Sequence, residues 1–137
     1  MHALITALSL IILAAASAEA VTPNEVERPG IVYAVICRDD PARAQVRENR
    51  LSDHLAFVEA HFERYAIAGP LLQPDGRMQS SLFLIYAQDE ADARAFMSAD
   101  PYVADGLYAS MEYQRFVPAA GDWIGGVIWR PGQPEAP

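Results

Sequence analysis

No lysine occurs among these 137 residues; all ten basic side chains are arginine. That absence excludes Schiff-base chemistry of the kind that anchors pyridoxal phosphate. Positive charge is scarce overall, ten residues against 18 acidic ones, for a formal net charge of −8. Without a basic cluster the chain would be repelled by a phosphate backbone, and nucleic acid is not an expected partner. The single cysteine, Cys37, cannot close an internal disulfide or build a thiolate cage. It lies in an apolar run and reads as a small buried hydrophobe. There is no G-x-S-x-G, no phosphate-cradling loop and no convincing Ser-His-Asp spacing. His54 and His61 are about 10 Å apart along a helix axis. Two ligands of one zinc lie about 2 Å each from the ion, so neither a metal nor a cofactor is expected.

The apolar run ALITALSLIILAAA (3–16) is also too short to span a bilayer comfortably, which takes about 20 residues. Small residues follow at two A-x-A sites, Ala16-Ser17-Ala18 and Ala18-Glu19-Ala20. This is the pattern of a signal peptide over residues 1–20, although only the α-amine and His2 supply positive charge before it. The expectation is an exported protein, periplasmic or secreted, with no membrane span once processed. A start codon placed too far upstream is the alternative and would leave the protein cytoplasmic.

Beyond a polar lead-in (21–30), IVYAVIC (31–37) is apolar on both alternations, as in a strand buried on both faces. Asp40 is placed to cap a helix with Pro41 at its first position. Helical periodicity runs from about Val46 to Phe62, with Leu51, Leu55, Val58 and Phe62 on one face. YAIAGPLLQ (65–73) reads as a second strand, and Pro70 inside it marks an edge or a bulge. PDGR (74–77) is a turn. SSLFLIYA (80–87) is a third strand, and Asp89 caps a second helix whose Ala91, Ala95 and Phe96 face inward. A one-turn helix at 100–107 ends at Gly106, and 108–117 alternates as a fourth strand.

The order β-α-β-β-α-β predicts an α+β, ferredoxin-like fold: a four-stranded antiparallel sheet with two helices on one face. Two helices cover only one face, yet the first and third strands are apolar on both. A second copy of the sheet is the economical cover, so a homodimer of the dimeric α+β barrel type is expected. The tail (118–137) carries a possible edge strand at 123–129.

On a helical wheel with His54 at zero, Leu51, Leu55, Val58 and Phe62 fall between about 40° and 100° and read as the core stripe. Arg47, Arg50 and His61 lie within about 40° of His54, making one flank of that stripe basic. Such a flank suits an acidic small molecule, and equally a solvated face. A carboxylate partner would fix the imidazole tautomer and leave the other nitrogen to exchange protons. Asp53, Asp100, Asp105 and Glu112 are the candidates. Asp53 points about 100° away on the wheel. Asp100, in Asp100-Pro101-Tyr102, reads equally as a helix cap and as a site residue.

The string YAVICRDDP, Arg50 with His54 four residues on, Ala68-Gly69-Pro70 and SSLFLIYAQDEADARAFMSADPYVADGLY together resemble the YciI-like (YCII-related) family. The resemblance covers about 31–117. It implies a ferredoxin-like dimer with a site built from a helical histidine and the aspartate of an Asp-Pro-aromatic motif, here His54 and Asp100. Where family members often carry Gly-Ser before the third strand, this chain has Ser80-Ser81, which implies a tighter backbone approach to a ligand there. One branch resembles dehydrochlorinases of chlorinated hydroxyquinols, and no residue here singles it out. The resulting expectation is a cofactor-independent enzyme for an anionic or phenolic small molecule, working by elimination or isomerisation. His54 and Asp100 are its catalytic pair, and Arg50, Arg47, His61 and Ser81 its ligand-binding residues. The alternative is a non-catalytic exported binding or interaction module of the same fold.

Overall fold

The structure, a computed structural model, describes residues 30–130. The expected signal segment, the lead-in up to residue 29 and residues 131–137 of the tail lie outside the described residues. Four strands, β1 (Ile31–Asp39), β2 (Tyr65–Leu72), β3 (Met78–Ala87) and β4 (Tyr108–Phe116), form one sheet in the order β2-β3-β1-β4. All neighbours are antiparallel. With helical segments after β1 and β3, this is the ferredoxin-like arrangement. Pro70 sits on the edge strand β2, where a missing N–H costs no ladder bond to a second neighbour.

Alternation sorts the strands into two faces. Val35 and Cys37 of β1 join Phe83, Ile85 and Ala87 of β3 in the core beneath the helices. The opposite face leaves Ile67, Leu71 and Phe116 exposed. Helix α3 (Glu90–Ser98) starts at Asp89, whose side chain accepts from the Asp92 amide. It buries Ala93, Phe96 and Met97, so Phe96 faces inward as expected but Ala91 and Ala95 do not. Burying the two large side chains together fixes the rotation of the helix, because buried apolar area outweighs that of alanines.

The segment expected as one helix from Val46 to Phe62 is two, α1 (Gln45–Asn49) and α2 (Leu51–Ala60), broken where Arg50 leaves helical geometry (φ −108°, ψ 7°). Its expected core stripe is not in the core. Leu51, Leu55 and Phe62 are 47%, 49% and 73% exposed, and α2 buries no residue fully. The inward side is the one read as the basic flank: Phe57 packs on the core, and the His54 side chain is only 12% exposed. Periodicity shows which residues share a face; it does not show what that face meets.

The tail does not add an edge strand over 123–129. β5 (Ala120–Gly121) pairs with β6 (Gly126–Val127) in a separate two-stranded sheet around a 3-10 turn. Gly121, Gly125 and Gly126, all at positive φ, turn the chain back on itself before a strand of useful length can form.

Candidate active site

Asp100 follows Ala99, the C-cap of α3, and opens α4 (Pro101–Ala104). Its Oδ1 accepts a hydrogen bond from the Tyr102 amide at 2.9 Å, with Pro101 in the first helical turn, as an N-cap should. The same carboxylate meets His54, whose Nδ1 is 2.9 Å from both Oδ1 and Oδ2. The cap expected from the sequence is therefore present, and its carboxylate also pairs with His54. A carboxylate with 0% exposure needs such hydrogen-bond partners. Facing an acceptor, Nδ1 carries the hydrogen. That leaves Nε2 as the nitrogen able to take or give a proton.

The other candidate carboxylates do not reach His54. Asp53 and Asp105 both pair with Arg50, and Glu112 lies opposite Ile36 on the face away from the helices. The ring of His54 stacks on Tyr102, centroids 4.0 Å apart and planes 14° from parallel, and meets Phe83 edge-on at 6.3 Å.

Arg47 lies in the same region. Its Nε and Nη2 donate to Asp39 at 2.8 and 2.7 Å, and Nη2 reaches Ser81 Oγ at 3.2 Å. Burial works against the guanidinium charge, but the bonds and charge of Asp39 outweigh it and raise the Arg47 pKa. The Tyr108 hydroxyl is 3.3 Å from Ser81 Oγ. Burial pushes that phenol well above its ordinary value and keeps it protonated, while the Ser81 bond pulls the other way.

Several of these groups border a cleft of about 1100 Å³, with Asp100 and Tyr108 outside its lining. Asp39, Arg47, His54, Ser81 and Tyr102 line its polar part, and Leu51, Leu55, Val58 and Pro70 line its apolar wall. The misplaced stripe of α2 is thus the wall of the cleft. Of the expected ligand-binding residues, Arg47 and Ser81 are there, but Arg50 and His61 are not. Arg50 is turned to Asp53 and Asp105, because the break at its own backbone redirects it. His61 donates Nδ1 to the Phe57 carbonyl at 2.8 Å and packs between Phe57 and Phe96. Asp39 was not singled out from the sequence. It reaches Arg47 across a helix start, a juxtaposition with no fixed spacing. Among the described residues no three His, Cys, Asp or Glu side chains converge to hold a metal ion, and no helix is long and apolar enough to cross a membrane.

The family model of the YCII-related domain matches residues 31–117, from the first residue of β1 to the one after β4. The chain belongs to the YCII-related domain family. Among solved structures, this YCII-related chain is similar to 5-chloro-2-hydroxyhydroquinone dehydrochlorinase (TftG) from Burkholderia phenoliruptrix AC1100, in complex with 2,5-dihydroxybenzoquinone. Identity is 25% and the TM-score 0.57, covering 66% of this chain and 96% of that one. A second match, assigned to the antibiotic biosynthesis monooxygenases and from Bacteroides thetaiotaomicron VPI-5482, has 14% identity and a TM-score of 0.44. It covers 64% of this chain and 88% of that one. No curated protein matches.

Proposed function

We propose that this YCII-related protein is a cofactor-independent enzyme acting on a phenolic or weakly acidic small molecule, by elimination or isomerisation. The observation that carries the reading is the His54–Asp100 pair, in which His54 lines the cleft and its Nδ1 is held by a fully buried carboxylate. In this reading His54 Nε2 takes a proton from the substrate, and Asp100 stabilises the imidazolium that forms. In an isomerisation the same nitrogen returns the proton to a different substrate atom. In an elimination the leaving group departs with its bonding electrons and the proton passes from His54 to solvent. Arg47, oriented by Asp39, and Ser81 hold a substrate oxygen, while Leu51, Leu55 and Val58 pack against its apolar side.

The likeness to a dehydrochlorinase in complex with 2,5-dihydroxybenzoquinone supports a hydroxylated ring as the substrate class. We also propose a homodimer formed through the uncovered sheet face, where Ile67, Leu71 and Phe116 are exposed.

The test is chloride release from 5-chloro-2-hydroxyhydroquinone, with wild-type protein and His54→Asn, alongside binding of 2,5-dihydroxybenzoquinone. Turnover lost in the variant supports the reading. Binding without turnover by the wild type would contradict it and leave a non-catalytic binding module.

A further inference from the structure

Tyr102 touches three parts of the site by three different means. Its backbone amide donates to the capping carboxylate of Asp100, its ring lies flat against His54, and its hydroxyl donates to the main-chain carbonyl of Arg47 at 2.9 Å. The side chain is 1% exposed, and the Arg47 guanidinium carbon sits 5.3 Å from the ring centroid. A tyrosine merely filling a core has no need to be anchored at its far end to the helix that carries Arg47, nor to lie parallel to an imidazole. The anchor fixes where along its length the ring meets His54. A phenol ring has only two side-chain torsions. With one end set by the α4 backbone and the other by the Arg47 carbonyl, it acts as a rigid plate.

Asp100 restrains the imidazole at one atom, Nδ1. One bond sets the tautomer but leaves the ring free to rock about it. A stacked plate at 4.0 Å removes that freedom. The two restraints are complementary: Asp100 chooses which nitrogen faces the cleft, and the plate sets the direction in which it points. We propose that Tyr102 is a positioning residue that aims His54 Nε2 into the cleft and, through its hydroxyl, ties that aim to the position of Arg47. The inference rests on the reading of His54 as the proton-transfer group.

Its test uses Tyr102→Phe, which keeps the ring and the amide cap but removes the anchor, and Tyr102→Leu, which removes the plate. Two readouts are needed: the ring ¹H and ¹⁵N signals of His54, and steady-state kinetics with 5-chloro-2-hydroxyhydroquinone. In the wild type the ring protons of His54 are shifted upfield by the stacked phenol. In Tyr102→Phe this shift is reduced and kcat falls several-fold. In Tyr102→Leu the shift is lost and kcat falls by roughly 10- to 100-fold, as misaim of a reacting group does. KM changes less than kcat in both, a split that general loosening would not give.

A folded Phe variant with wild-type ring shifts and wild-type kcat overturns the proposal, and so does a Leu variant with the same behaviour. Asp100→Asn separates the two failures. If it disturbs His54 while both Tyr102 variants leave it alone, only the role of Tyr102 is wrong. If His54→Asn retains turnover, the reading of His54 itself is wrong. Should the wild type not turn over this probe, the ring signals alone decide whether Tyr102 positions His54.

Discussion

Arg47 lays two N–H groups side by side on the carboxylate of Asp39, at 2.8 and 2.7 Å, with the two side chains only 14% and 11% exposed. The most prominent cation of the cleft is therefore already paired. Across the lining as a whole Arg38, Arg47 and Arg77 are balanced by Asp39, Asp40 and Glu48. Net charge does not draw an anion here. In the proposed reading a ligand oxygen meets directed N–H and O–H groups of Arg47 and Ser81 instead.

Breaking this pair from either side leaves a poorly hydrated charge. Asp39→Ala and Arg47→Ala should each cost about 3 kcal/mol of stability at neutral pH. The double variant should cost clearly less than their sum, as coupled partners do. Urea unfolding of the three variants checks it.

Arg50 offers the opposite case. Its contacts with Asp53 and Asp105 join side chains that are 38%, 54% and 45% exposed, so solvent screens them. Arg50→Ala should change stability by less than about 1 kcal/mol and leave 2,5-dihydroxybenzoquinone affinity within about two-fold, well under the tenfold that 1.4 kcal/mol brings. Titration with that quinone gives the answer directly.

Cys37 is fully buried beneath the helices, and its thiol is pushed up from 9.0 to about 12 by burial first, then by the nearby charges of Asp100 and Asp39. A raised thiol pKa means that the folded state holds the proton longer than the unfolded one. The associated stability is complete below about pH 9 and is lost as pH rises through 9 towards 12. Native protein at pH 8 should resist an aromatic disulfide reagent, and protein in urea should react at one thiol.

The uncovered sheet face gives a further expectation. Leu71 and Phe116 stand on that face at 41% and 38% exposure. Leu71→Glu or Phe116→Glu would bury charge in a sheet-to-sheet interface, so either should turn a dimer into a monomer by light scattering. Identical masses for wild type and both variants would show that the face is not the interface.

Much of this architecture is legible in the sequence because its signals are local. Asp89, Asp100-Pro101 and Gly106 mark element ends through backbone chemistry that needs no tertiary partner. β1 and β3 announce burial on both faces, and Pro70 announces an edge. The inward face of α2 was not legible. Leu51, Leu55 and Val58 make a stripe as regular as any core stripe, but they line a cleft, while His54, Phe57 and His61 take the inner side. The break at Arg50 has no marker either, and it is what removes Arg50 from the site. Asp39 against Arg47 and Tyr102 against His54 are contacts between elements, set by how a helix lands on a sheet rather than by spacing along the chain.

In the proposed function Asp100 holds His54 in one tautomer with Nε2 free for proton transfer. The direct measurement is the ¹⁵N spectrum of the neutral His54 ring in the wild type and in Asp100→Asn. The expected spectrum shows a protonated Nδ1 and an unprotonated Nε2 in the wild type, with that tautomer lost or reversed in the variant. A wild-type ring that averages both tautomers, unchanged by the substitution, would contradict it.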